Sequence, residues 1–192
     1  SHTVSAIPAV LRAVLHDVQD FAAASCFADD LTCIAVRVGG RPGGDDPGDE
    51  GAGLSRLVVP AQMGALEAIR GFVEALAAST SPPSLEGEAL DLLQLAVGEG
   101  ATNIIRHAYG PGLGGVLELE GQVRDDSVRV TLYDWGIAFT PPAIEEPYLR
   151  EAHEGGLGLY IMTQSVDRIR WGRGADGRNS LTLEKRRHGA KE

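Results

Sequence analysis

The chain has 192 residues and a mass of 20.2 kDa, room for one medium domain with a fragment of another. Seventeen lysines and arginines against 27 acids give a formal charge of −10 and a pI near 4.9, which argues against a nucleic-acid or anionic-membrane surface. No run of 18 apolar residues and no basic-then-apolar leader pattern occurs, so neither membrane insertion nor export is signalled and the cytoplasm is the expected compartment.

Val10, Leu11, Val14, Leu15, Val18 and Phe21 recur at helical spacing, and Leu31 to Val38 is rich in β-branched residues, so the first 38 residues predict one helix and one strand. Such a piece cannot close a core alone, and reads either as the end of a truncated domain or as an arm docked on its neighbour. Cys26 and Cys33, the only cysteines, form no CxxC pattern and read as two buried thiols rather than a zinc or disulfide framework. Gly39 to Gly53 holds seven glycines, two prolines and four acids, with nothing apolar enough to pack, and reads as a linker.

Beyond it, Ser55 to Val59 predicts a strand. Gln62 to Ala78 predicts an amphipathic helix with Met63, Leu66, Ile69, Phe72, Val73 and Leu76 on one face. A long helix follows over Leu85 to Tyr109, stopped by Gly110-Pro111-Gly112. Val116 to Val123 and Val128 to Tyr133 predict a hairpin turning at Asp125-Asp126. A proline-bearing loop from Gly136 to Glu154 leads into Gly155-Gly156-Leu157-Gly158 and a helix to about Val166. Arg168 to Trp171 and Ser180 to Lys185 predict closing strands around a Gly-Ala-Asp-Gly-Arg-Asn turn.

Three features carry chemistry. Glu99, Asn103 and His107 follow one another at i, i+4, so one line along the long helix presents a carboxylate, an amide and an imidazole. The first two are hard oxygen donors of the kind Mg²⁺ accepts beside phosphate, and the carboxylate can deprotonate a hydroxyl; a solvated helix stripe shows the same spacing. Asp134-Trp135-Gly136 places a carboxylate at a strand end, able to accept from an exocyclic amine, although Asp-x-Gly is also ordinary turn chemistry. Gly155 to Gly158 feeds a helix N-terminus, where free N–H groups and the dipole favour phosphate, without the lysine of a P-loop or the spacing of GxGxxG.

Taken in order, LAVGEGATNIIRHAYG, VTLYDWGIAFTPP, EGGLGLYIMTQSVDRI and NSLTLEKR resemble the Bergerat-type (GHKL) ATPase domain, and most closely the anti-sigma factor serine kinases of the RsbW and SpoIIAB type, over roughly Ser55 to Arg187. The resemblance implies an α/β two-layer sandwich, a mixed, mainly antiparallel sheet with helices on one face, extended at the N-terminus by the helix and strand above. It implies ATP and Mg²⁺ as cofactors, Glu99 as catalytic base and Asn103 as metal ligand and cofactor contact. His107, Asp134 and Gly136 would complete the nucleotide site, with Asp134 reading the adenine amino group. Gly156, Leu157 and Gly158 would line the phosphates, Thr140 to Glu154 would be the ATP lid, and Thr182 would place a hydroxyl near the adenine.

FADDLTCIAVRV is similar to the last strand of PPM or SpoIIE-type phosphatases, with Asp29 at the position of a metal ligand. One carboxylate cannot hold a binuclear centre, so no phosphatase activity is expected. The implied domains are a phosphatase remnant over 1–38, a linker over 39–53, the ATPase domain over 54–187 and a tail over 188–192. The implied function is an ATP-dependent serine/threonine kinase and anti-sigma factor in a partner-switching pathway. Its partners would be a STAS-type antagonist, which it phosphorylates, a sigma factor, and a second copy of the chain; no nucleic acid and no membrane is expected. The alternative is an inactive, nucleotide-dependent protein-binding module.

Overall fold

The computed structural model describes residues 33–35, 54–109, 114–139 and 157–187. In chain order the elements are β1 (Cys33–Ala35), β2 (Leu54–Pro60), a 3-10 turn (Met63–Ala65), α1 (Leu66–Ala77), α2 (Gly87–His107), β3 (Val116–Val123), β4 (Ser127–Asp134), α3 (Leu157–Ser165), β5 (Arg168–Arg173) and β6 (Asn179–Arg186). The expected helix and strand between Leu54 and the C-terminus all form, with ends moved by one to three residues and the start of the first helix tightened into the 3-10 turn. The helix expected over Val10 to Phe21, the linker and the lid lie outside the described residues.

The strands make one sheet in the order β1-β2-β3-β4-β6-β5, and every pairing is antiparallel. The two-layer sandwich is therefore as expected, but no parallel pair accompanies it among the described residues. The connections explain this. Two helices between β2 and β3 return the chain in the opposite direction. The single helix between β4 and β5 leaves those two strands running the same way, and β6 inserts between them. The strand expected from the N-terminal piece is present as β1, paired Cys33 to Val58 and Ala35 to Arg56 at the sheet's edge.

Strand alternation sends Leu57, Val59, Leu117, Leu119, Val128, Val130, Leu132, Leu181 and Leu183 into a single core beneath the helices. From above, α1 contributes Ile69, Val73 and Leu76, and α2 contributes Ala89, Leu93, Ala96, Val97 and Ala101, at the three- and four-residue steps of one helix face. Carbonyls left open at the end of α1 are met by Ser79 Oγ on Leu76 O at 2.7 Å and by Ser84, whose N and Oγ reach Ala77 O at 2.8 and 2.9 Å. Packing of α2 over β4 and β6, with α3 laid against α2, brings candidate site residues of three elements to the helix-covered side of the sheet.

The opposite face of the sheet is polar. Arg56 pairs with Glu120, Arg129 with Glu184 at 3.2 Å, and Tyr133 donates to Glu120 at 3.1 Å while Arg178 lies over its ring, 4.1 Å from the centroid. Burial first, then the Glu120 charge, push the Tyr133 hydroxyl up to about 12 from its ordinary 10. The neutral phenol is thus favoured in the folded state, and its contribution to stability is intact below pH 10 and lost as pH rises toward 12. Urea midpoints measured at pH 8, 10 and 11.5 are expected to fall over that upper window, and to fall less in Tyr133→Phe, which has no proton to lose there.

Candidate functional site

Glu99 and Asn103 lie one turn apart on α2, both half-buried. Gly158, the second residue of α3, packs directly on them. A Cβ at Gly158 would stand 2.7 Å from Glu99 Oε2 and 3.6 and 3.7 Å from the two terminal atoms of Asn103. Any side chain there would push the carboxylate away, so glycine is what lets the start of α3 approach the Glu99–Asn103 stripe. The first turn of α3, where a helix leaves its N–H groups without intrahelical partners, consequently lies beside a carboxylate and an amide.

Asp134 ends β4 on the helix-facing side and is 4% exposed. Its Oδ1 accepts from Gly136 N at 2.9 Å and from Asn179 Nδ2 at 2.8 Å; its Oδ2 takes no hydrogen bond from a described residue. The loop after Asp134 is fastened to the end of α2. Ile137 N donates to Ala108 O at 2.7 Å, and a Cβ on Gly136 would run into the Ala108 carbonyl group, so no larger residue fits. Tyr109 completes the join: its hydroxyl accepts from Trp135 N at 3.0 Å and donates to Val116 O at 2.8 Å. Burial, and to a smaller extent the nearby Asp134 charge, raise the Tyr109 hydroxyl pKa above its ordinary value, so it stays protonated and keeps both bonds.

The long helix α2 is thus the spine of the site. Its middle presents Glu99 and Asn103 to Gly158 of α3, and its C-terminal end anchors the Asp134 loop. His107 is exposed on the last turn of α2, and Leu157 is exposed at the first residue of α3. Gly156 and the Thr140 to Glu154 segment lie outside the described residues, as do Asp29 and Gly155. Thr182 is not brought to this site. Its hydroxyl is 3.1 Å from that of Thr131 on the far face of the sheet, because Leu181 and Leu183 take the helix-facing positions of β6 and the period of two sends Thr182 the other way.

A match to the histidine kinase-like ATPase domain runs over residues 59–185, more than half of the chain. The chain belongs to that family. Among curated proteins this ATPase domain is similar to the serine-protein kinase RsbW of Bacillus subtilis (strain 168), at 31% identity over 91 residues, 43% of this chain and 57% of that protein. It is similar also to the serine-protein kinase RsbW of Halalkalibacterium halodurans, at 28% over 85 residues, 40% of this chain and 51% of that protein. The matched stretch therefore spans little more than half the length of these relatives. A crystal structure of the RsbU and RsbW domains of a Mycobacterium tuberculosis protein aligns at 17% identity and a TM-score of 0.49, covering 70% of this chain and 32% of that one.

Within the ATPase domain, Asn179 and Tyr109 touch Asp134 or its loop and were not singled out by their local sequence. A signal for Asn179 existed. It shares the parity of Leu181 and Leu183, so an alternation count alone puts a polar amide at the head of an apolar strand face. Among the described residues no helix is long and apolar enough to cross a membrane, and no cluster of three His, Cys, Asp or Glu side chains is placed to hold a metal by itself.

Proposed function

We propose that this chain binds ATP and transfers its terminal phosphate to a serine or threonine of a small STAS-type antagonist protein, sequestering a sigma factor when that antagonist is not free. The observation that carries this reading is the approach of Gly158 to Glu99 and Asn103, which sets a helix N-terminus, a carboxylate and an amide oxygen against one another. Asp134 supports it from the other end of α2, a largely buried residue with one carboxylate oxygen left to accept from an exocyclic amine.

In this reading Glu99 takes the proton from the acceptor hydroxyl as its oxygen bonds to the terminal phosphorus and the bond to the bridging oxygen of ADP breaks. Asn103 supplies one hard oxygen. One amide with a neighbouring carboxylate is too few donors to hold Mg²⁺ unaided, but fits its habit of taking one or two protein oxygens together with phosphate oxygens and water. When bound there, Mg²⁺ would neutralise charge on the phosphates. The N–H groups at the start of α3 favour the same anionic groups through backbone alone, which suits a chain of charge −10 that is poor in cations.

The test is incubation of the chain with radiolabelled ATP, Mg²⁺ and a STAS-type antagonist encoded in the same genome. Label on an antagonist serine or threonine is the expected result. Tight, nucleotide-dependent association of the two proteins without label would instead make the domain a nucleotide-gated binder.

A further inference from the structure

Asn179 is the register partner of Asp134 across the β4–β6 ladder, although 45 residues separate them in sequence. Every polar atom of its side chain is engaged. Nδ2 donates to Asp134 Oδ1 at 2.8 Å and to the carbonyls of Gly136 and Ile137 at 3.3 Å each, while Oδ1 accepts from an Arg173 guanidinium nitrogen at 2.9 Å. Arginine can only donate and an ionised carboxylate can only accept, so the amide has one workable orientation between them. Arg173 faces Asn179 directly across the β5–β6 ladder, and Asn179 itself is 8% exposed.

The consequence falls on Asp134. A carboxylate oxygen has room for about two in-plane donors. Gly136 N and Asn179 Nδ2 fill both positions on Oδ1, fixing the torsion of the group and leaving Oδ2 as its one open acceptor. Adenine asks for a single acceptor, opposite its exocyclic amine. Guanine carries a carbonyl oxygen at that position, and pairs with a carboxylate through two adjacent N–H groups that need both oxygens at once. A carboxylate with one oxygen already saturated serves the first base and fails the second.

We propose that Asn179, held by Arg173, is a positioning residue that makes the Asp134 site selective for adenine over guanine by occupying Oδ1. It rests on the reading of Asp134 as the acceptor for the base.

Calorimetric titration of the whole chain with ATP and with GTP, both with Mg²⁺, tests this in the parent, Asn179→Ala and Arg173→Met. A structural weakening lowers both affinities together, so the ratio of the two is the quantity that reports positioning. Asn179→Ala is expected to lower the ATP-to-GTP affinity ratio by about tenfold, the scale of one hydrogen bond to a charged group. Arg173→Met, a change at an exposed edge-strand position that leaves the fold intact, is expected to lower it by a smaller factor, since the amide can then turn over. A parent chain that binds neither nucleotide overturns the reading of Asp134 and this inference with it. A parent that prefers ATP, with an unchanged ratio in folded Asn179→Ala, overturns the role of Asn179 alone. Should Asn179→Ala fail to fold, an unchanged ratio in Arg173→Met does the same.

Discussion

Glu99→Gln is expected to lower phosphate transfer to the antagonist by about 10²- to 10⁴-fold, the range a positioned general base contributes, while ATP still binds. The substitution keeps the size and planarity of the side chain beside Gly158, so the close packing of α3 on α2 is undisturbed and only the proton acceptor is lost. Asn103→Ala, one turn further along, is expected to abolish transfer by a different route. It removes the protein's oxygen from the metal, so nucleotide binding should also lose its dependence on Mg²⁺. Single-turnover transfer measured beside calorimetry separates the two: Glu99→Gln loses the rate and keeps the affinity, whereas Asn103→Ala loses both. Transfer at the parent rate in either variant would remove that residue from the chemistry.

Asp134→Asn is expected to weaken ATP binding by about 100-fold. The asparagine cannot satisfy both sides of the site. If its oxygen faces the base amine, its NH₂ group meets Gly136 N–H and the Asn179 amide, two donors that sit 2.9 and 2.8 Å from Oδ1 in the parent. If it turns over to satisfy those donors, it presents NH₂ to the amine of adenine. Either arrangement leaves a buried donor facing a donor, at about 1 to 3 kcal/mol, on top of the lost bond to a charged acceptor. Thermal stability of the unliganded variant should fall far less than affinity, because without nucleotide the asparagine oxygen can face both donors and only the charge of the acceptor is lost. Full affinity in Asp134→Asn would mean that the base is read elsewhere.

Much of the fold and part of the site can be read from local sequence. Apolar steps of three and four over Ile69 to Leu76 and Ala89 to Ala101, and alternation over Leu117 to Leu119, Val128 to Leu132 and Leu181 to Leu183, identify each element and the face it buries. Helical spacing alone puts Glu99 and Asn103 on one line, and the end of an alternating strand puts Asp134 where β4 stops. These features depend on residues within a turn or two of each other, so geometry follows from spacing.

Thr182 shows where resemblance outruns spacing. Its own neighbours, Leu181 and Leu183, send it to the far face against Thr131, whereas Asn179 occupies the helix-facing position beside Asp134. Which strand lies next to β4 is a different kind of fact. It depends on β6 inserting between β4 and β5, a pairing across tens of residues that no local pattern encodes. The same holds for Gly158 against Glu99, which exists only because α3 packs on α2, and for β1, whose place at the sheet edge is set by pairing with β2. The sequence by itself determined the elements, their buried faces and the chemical types at the site. Only the tertiary structure decided which amide orients Asp134 and which glycine admits the helix N-terminus, because hydrogen bonding and close packing act between segments brought together by the core and not by the chain.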